Sequence, residues 1–259
     1  MKNKIKKIIK KSWLATCYGW QFLSRASSSA NRIIVFHDIQ NKDLFRERMQ
    51  WLKSNYQIVP LGRLLSENGN DQIAITFDDG YANWATNAQP VLQELNIPAT
   101  FFVCSGLIDL TGDEANDFVK NKLMRRQSLN LISSHQVKML AENSLFEIGG
   151  HTVNHVDLGQ DFSNDFLKSE ILRDKQNLEN LIGKKIKWFA YPFGEGKSLN
   201  QKSGAFLDWA GFENSFSFVS EVVKGSENKF MIPRTGLNFA DPIWMWKSVI
   251  NGYWDWTKR

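Results

Sequence analysis

From residue 32 onward the chain alternates short apolar runs with longer stretches whose apolar positions recur every three or four residues. The runs at 32–36, 57–60, 72–77, 99–103, 146–148 and 187–191 predict strands. The stretches at 42–53, 84–95, 163–182 and 200–210, with a shorter one ending at 67, predict helices. Gly183 and Gly211 follow the last two as stop signals, and Ser133 or Ser134 is placed to cap a further helix reaching about residue 142. Residues 105–132 show weak periodicity and read as an insertion or a long strand-to-helix connection, whereas Ile232 to Thr235 reads as a late strand. Such alternation argues for a parallel sheet, closed into a barrel or wound open, and loops after parallel strands are where sites form.

Length agrees with one α/β barrel domain at 32–259, preceded by a basic N-terminal helical arm at 1–31. The net charge of +5 changes meaning once located: residues 1–37 hold six Lys, two Arg and no acid, so they carry +8 and leave the remainder mildly acidic. A nucleic-acid surface would spread basic residues over the folded body, so no nucleic-acid partner is expected. In the arm, Ile5, Ile9, Trp13, Cys17, Trp20 and Leu23 fall on about a third of a helix circumference among lysines, with Lys2 and Lys6 breaking the pattern. Three readings stay open: a helix lying on an anionic membrane surface through residues 1–25, a helix packed on the barrel, or a cleaved signal segment. The first predicts a place at the bacterial cell envelope, peripheral to the membrane. Cys104, at the end of the run 99–103, reads as a buried small hydrophobe. The aromatic cluster of Trp244, Trp246, Tyr253, Trp254 and Trp256 reads as closure over one barrel end, with sugar stacking or membrane contact as alternatives.

Candidate chemistry gathers at three strand ends. Thr76-Phe-Asp-Asp-Gly80 follows an apolar strand, and two adjacent carboxylates there point in different directions, so one can bind metal while the other contacts water. His151-Thr-Val-Asn-His155 follows a strand and a Gly pair. Two His four residues apart would meet on one face of a helical turn, a spacing suited to one divalent ion. Phe189-Ala-Tyr-Pro-Phe-Gly194 offers a rigid Pro followed by a backbone N–H able to face an oxyanion.

In this order the three segments resemble the motifs of the polysaccharide deacetylases, the carbohydrate esterases with a NodB-homology domain. The resemblance spans roughly residues 32–235 and implies a distorted (β/α)7-type barrel. It implies that Asp79, His151 and His155 bind a divalent metal, usually Zn2+, that Asp78 is the general base, and that the Phe193 N–H completes an oxyanion site. Two departures stand out. The third motif's Arg is replaced by Ala190, and Arg234 is the candidate substitute. The family's late Leu-x-His motif is missing, because no His follows His155. Poly-N-acetylglucosamine deacetylases resemble the chain in an early aromatic-His-Asp element, which assigns His37 as general acid; His135 reads as a helix-start surface residue. The resemblance implies removal of N-acetyl groups from hexosamine in an envelope glycan or a lipid-linked sugar. An O-acetyl esterase and a membrane-associated glycan-binding pseudoenzyme are the alternatives.

Overall fold

The structure is a computed structural model that describes residues 31–66, 71–125, 129–199, 201–252 and 255. The proposed arm at 1–31 therefore lies outside the described residues, apart from Asn31, as do Tyr253, Trp254 and Trp256. Eight strands form one parallel sheet: β1 (Arg32–Phe36), β2 (Gln57–Ile58), β3 (Gln72–Phe77), β4 (Ala99–Val103), β5 (Phe146–Gly150), β6 (Trp188–Ala190), β7 (Asn214–Phe216) and β8 (Thr235–Gly236). Their order is β7-β6-β5-β4-β3-β1-β8, with β2 beside β3. The sheet curls into a distorted barrel because residues 232–236 hydrogen-bond to both of its ends. Ile232 bridges Phe216 in β7, while Thr235 pairs with Ile34 in β1.

Alternation along each strand divides the apolar residues into two layers, as a period of two requires. Ile34, Phe36, Ile73, Ile75, Phe77, Phe101, Ile148 and Phe189 face the surrounding helices. Ile33, Ala74, Phe102, Trp188, Ala190 and Phe216 fill the lumen, where Val59, Leu61 and Leu64 join them. Leu61 and Leu64 belong to the short helix α2 (Leu61–Ser66), which plugs the lumen.

Helix α1 (Lys42–Asn55) starts where the Asn41 side chain accepts from the Leu44 N–H. The predicted helix at 84–95 is a π-helical turn, Trp84–Ala88, running into α3 (Gln89–Glu94). Residues 105–132 depart from expectation: they contain a 3-10 turn at Ser105–Leu107 and the helix α4 (Gly112–Asn121), which buries Ala115, Phe118 and Val119. Its apolar stripe is three residues among exposed charges, too short to register as periodicity across the segment. Helix α5 (Ser134–Glu142) begins with a capping box made by Ser133 and Gln136. Helix α6 (Asn164–Ile182) runs from a Ser163 cap to Gly183 in the left-handed conformation. Helices α7 (Gln201–Trp209) and α8 (Ile243–Ile250) complete the shell. Trp246 of α8 is buried against Phe36 and Phe239 with Arg48 over its ring, so this aromatic packs on the outer face of β1 instead of across a barrel end. No helix among the described residues is long and apolar enough to cross a membrane.

Candidate metal and catalytic site

The site grows out of the C-terminal end of β3. Along this strand Ala74 and Thr76 face the lumen, and the next lumen position is Asp78, whose N–H still bonds Phe36 O at 3.0 Å. The Asp78 carboxylate is 4% exposed and receives both arms of Arg234, at 2.7 and 2.6 Å. Arg234 is itself fully buried; its Nε donates to Ser217 O, Nη1 also reaches Thr76 Oγ1 at 3.3 Å, and the guanidinium lies over the Phe102 ring. Ala190, where the resembled motif carries Arg, is a lumen residue of the same cluster. The cation facing Asp78 thus comes from the closing segment 232–236.

Asp79 leaves the strand with φ +86°, a costly conformation for a residue with a Cβ, and so turns its carboxylate away from Asp78. Gly80 follows at φ +129°, where an added Cβ would lie 2.8 Å from Leu107 Cδ1. Asp79 Oδ1 sits 3.3 Å from His155 Nε2 and 3.5 Å from His151 Nε2. Burial pushes the Asp79 carboxyl up, but hydrogen bonds from the two imidazoles outweigh it and hold it well below the usual carboxylate range.

The two His do not meet on a helical turn. Residues 151–157 are irregular, and Thr152 and His155 both have positive φ, of 65° and 51°. This loop keeps its shape because α6 supports it with two buried acids. Asp174 accepts from the His151 N–H and the Ser105 N–H, each at 2.8 Å; Glu170 accepts from the Asn154 N–H at 2.9 Å and the Asn154 side chain at 2.7 Å. Burial lifts Asp174 to about 7 against the pull of those N–H donors. Cys104, buried as expected, lies with Sγ 3.2 Å from His151 O. His151 Nδ1 is 2.7 Å from Ala190 O and His155 Nδ1 is 3.0 Å from Lys122 O. Each bond puts a proton on Nδ1 and turns Nε2 inward, towards Asp79 Oδ1.

The ligand atoms of Asp79, His151 and His155 lie within 4.8 Å of one another, and all three residues are buried. One carboxylate oxygen and two imidazole nitrogens, each ring oriented by a carbonyl, fit a divalent cation of the zinc type.

His37 follows β1 directly, beside the Phe36–Phe77 pair and hence next to Asp78. Its ring meets Phe218 edge-on at 6.2 Å, and its carbonyl accepts from Trp84 Nε1. Burial lowers its pKa below 6.5, partly offset by the charges of Asp79 and Asp78. Phe193 has φ +62°, is 45% exposed, and sets its ring 4.8 Å from that of His155. The turn it occupies is tight, with the Gly194 N–H on Pro192 O. His135 is an exposed residue in the first turn of α5, as the sequence indicates. Sequence reasoning missed Tyr81, whose hydroxyl donates to Asp79 Oδ2 at 2.7 Å, together with Arg125, Glu170 and Asp174. The last two had a legible signal, being acids on the same helical stripe as Leu167, Ile171 and Leu178.

A parallel barrel with convergent carboxylate and imidazole donors at the C-terminal rim belongs to the α/β folds that carry their chemistry on the loops after the strands. Residues 66–210, more than half of the chain, match the family profile described as polysaccharide deacetylase, and the chain belongs to that family. It is 26% identical over 203 residues to a poly-β-1,6-N-acetyl-D-glucosamine N-deacetylase of Staphylococcus aureus (strain MRSA252), a match spanning 73% of this chain and 64% of the relative. The chain thus covers less than two thirds of that relative's length. Among solved structures, IcaB from Ammonifex degensii superposes with a TM-score of 0.68 at 19% identity, covering 87% of this chain and 98% of the other. The deacetylase PplD of Streptococcus pyogenes, solved with acetate, gives 0.68 at 17% identity, covering 85% and 98%. Both likenesses concern the fold.

Proposed function

We propose that this chain is a metal-dependent hydrolase that removes N-acetyl groups from hexosamine residues of an envelope glycan or lipid-linked sugar. The observation that carries the reading is the buried convergence of Asp79, His151 and His155 beside an Asp78 that is excluded from them and held by Arg234. The family supports deacetylation, and the staphylococcal relatives, named for poly-β-1,6-N-acetyl-D-glucosamine, support an N-acetylated glycan as substrate.

Asp79, His151 and His155 would hold the cation, most simply Zn2+, which when bound polarises the acetyl carbonyl and acidifies water. Asp78 takes the proton of the attacking water, and Arg234 fixes the plane of its carboxylate so that one lone pair faces the cleft. His37, across from Asp78, donates a proton to the departing nitrogen. An amine leaves poorly unless protonated, so a resident acid favours the amide over the ester substrate. The Phe193 N–H faces the developing oxyanion, a role that needs no particular side chain. In the same reading, the basic arm rests on anionic lipid at the envelope through residues 1–25. Co-sedimentation of the full chain with anionic but not neutral vesicles, weakened when Lys2, Lys4, Lys6 and Lys7 become Gln, tests that part.

The decisive assay is acetate release from β-1,6-linked N-acetylglucosamine oligomers and from a lipid-linked N-acetylhexosamine. It compares metal-stripped protein, zinc-restored protein and Asp78→Asn. Zinc-dependent release that disappears in Asp78→Asn is the expected result. Release that survives either metal removal or Asp78→Asn overturns the assignment.

A further inference from the structure

Residues 105–132 read in sequence as an insertion, yet they are stitched to the Asp-Asp-Gly turn at every level. Ile132 N–H bonds Gly80 O at 3.0 Å, Ala82 N–H bonds Asn130 O at 2.9 Å, and Tyr81 bridges Leu131. On the other side of the site, the residue that caps the C-terminus of α4, Lys122, supplies the carbonyl that orients His155. Three residues further on, Arg125 has its N–H anchored to Val119 O, and its guanidinium charge acts on the Tyr81 hydroxyl and on Asp79. Tyr81, 1% exposed, donates its hydroxyl hydrogen bond to Asp79 Oδ2. A positive charge thus stands behind Tyr81, whose hydrogen bond ends on the carboxylate of the proposed ligand Asp79.

The geometry explains why Asp79 offers a single oxygen. Tyr81 occupies Oδ2, leaving Oδ1 alone to face both imidazoles. A carboxylate on a backbone with φ +86° has no regular strand neighbour to hold its rotamer, so the orientation must come from such a partner. We propose that residues 112–125 and 129–132 are a metal-retaining wall, in which Arg125, acting through Tyr81, is a positioning residue for Asp79 while the Lys122 carbonyl positions His155. This rests on the metal-site reading above and adds what governs how tightly the cation is kept. The Arg125 Nε is buried without a hydrogen-bond partner among the described residues.

The test is the affinity of the full chain for Co2+, read from its visible absorption, and for Zn2+, read by competition with a chromophoric chelator. It compares wild type, Tyr81→Phe, Arg125→Met, Arg125→Lys and the double variant Tyr81→Phe/Arg125→Met. Loss of an outer-shell partner weakens metal binding by about 10–100-fold. Tyr81→Phe should fall in that range, and Arg125→Met should weaken binding in the same direction. The double variant should be no weaker than Tyr81→Phe, because Arg125 acts through Tyr81. Arg125→Lys should recover part of the loss. Wild-type affinity in both single variants, or full additivity in the double, overturns the wall while leaving the metal-site reading intact. Failure of wild type itself to bind Co2+ or Zn2+ removes both. Tyr81→Phe deletes one oxygen only, and far-UV circular dichroism of the metal-free forms shows whether Arg125→Met is folded; if it is not, Tyr81→Phe decides alone.

Discussion

The Asp78–Arg234 pair offers the sharpest perturbation. Both partners are at most 5% exposed, and two short bonds join them across 156 residues of sequence. Arg234→Met keeps an unbranched side chain in the lumen but strands the Asp78 carboxylate with Thr76 as its nearest polar neighbour on the strand. Leaving one partner of a buried ion pair uncompensated costs about 3–5 kcal/mol. For a domain of this size about 2–4 °C of melting temperature follows each kcal/mol, so a fall on the order of 10 °C is expected. Turnover should drop about 100-fold, the scale on which misplacing a catalytic group is felt. Urea unfolding of Arg234→Met, Asp78→Asn and the double variant gives the coupling directly. The double should be less destabilised than the sum of the singles by at least about 1 kcal/mol. Should Arg234→Met lose less than about 1 kcal/mol with turnover near wild type, the pair behaves as a surface ion pair, and the argument that it orients a base is wrong.

Two further outcomes follow from the same geometry. A proton donor works only while charged, and burial holds His37 below 6.5, so kcat/KM should fall as pH rises through a value below 6.5. His37→Gln should lower the rate by about 100- to 10,000-fold and abolish that descending limb; an unchanged limb in the variant excludes His37 as the acid. At Asp174, lifted to about 7 from an ordinary 3.8, the folded state retains a proton that the unfolded state releases, so stability should decline as pH rises between those values. Asp174→Asn should remove that decline in urea unfolding followed from about pH 4 to 7; a slope that persists would place the titration elsewhere.

The strands and the longer helices were legible because each has one period and clear punctuation. The 163–182 helix, with its Ser163 cap and Gly183 stop, is the plainest case. The four motif residues were legible because Asp78, Asp79, His151 and His155 lie at strand ends within two short segments. What escaped were relations between segments. That Arg234 reaches Asp78 depends on Ile232 and Thr235 bonding different edges of the sheet, which no local pattern records. The helical-turn expectation for the His pair failed because spacing alone does not reveal that Glu170 and Asp174, on another element, hold the backbone in left-handed conformations. Residues 105–132 looked idle because their purpose is carried by backbone carbonyls such as that of Lys122, which every residue type possesses.

The segment that shuts the barrel also has a place in time. During synthesis, at about 5–20 residues per second, Asp78 leaves the ribosome roughly 10–30 s before Arg234 does, given the 156 positions between them. From about the midpoint of that interval Asp79, His151 and His155, the proposed ligands, have all been made, yet the neighbouring carboxylate has no guanidinium to set its plane. In the proposed mechanism, chemical competence therefore waits for ring closure. A nascent or prematurely terminated product ending before residue 232 would carry every donor of the proposed cation site and none of the poise for the proposed hydrolysis.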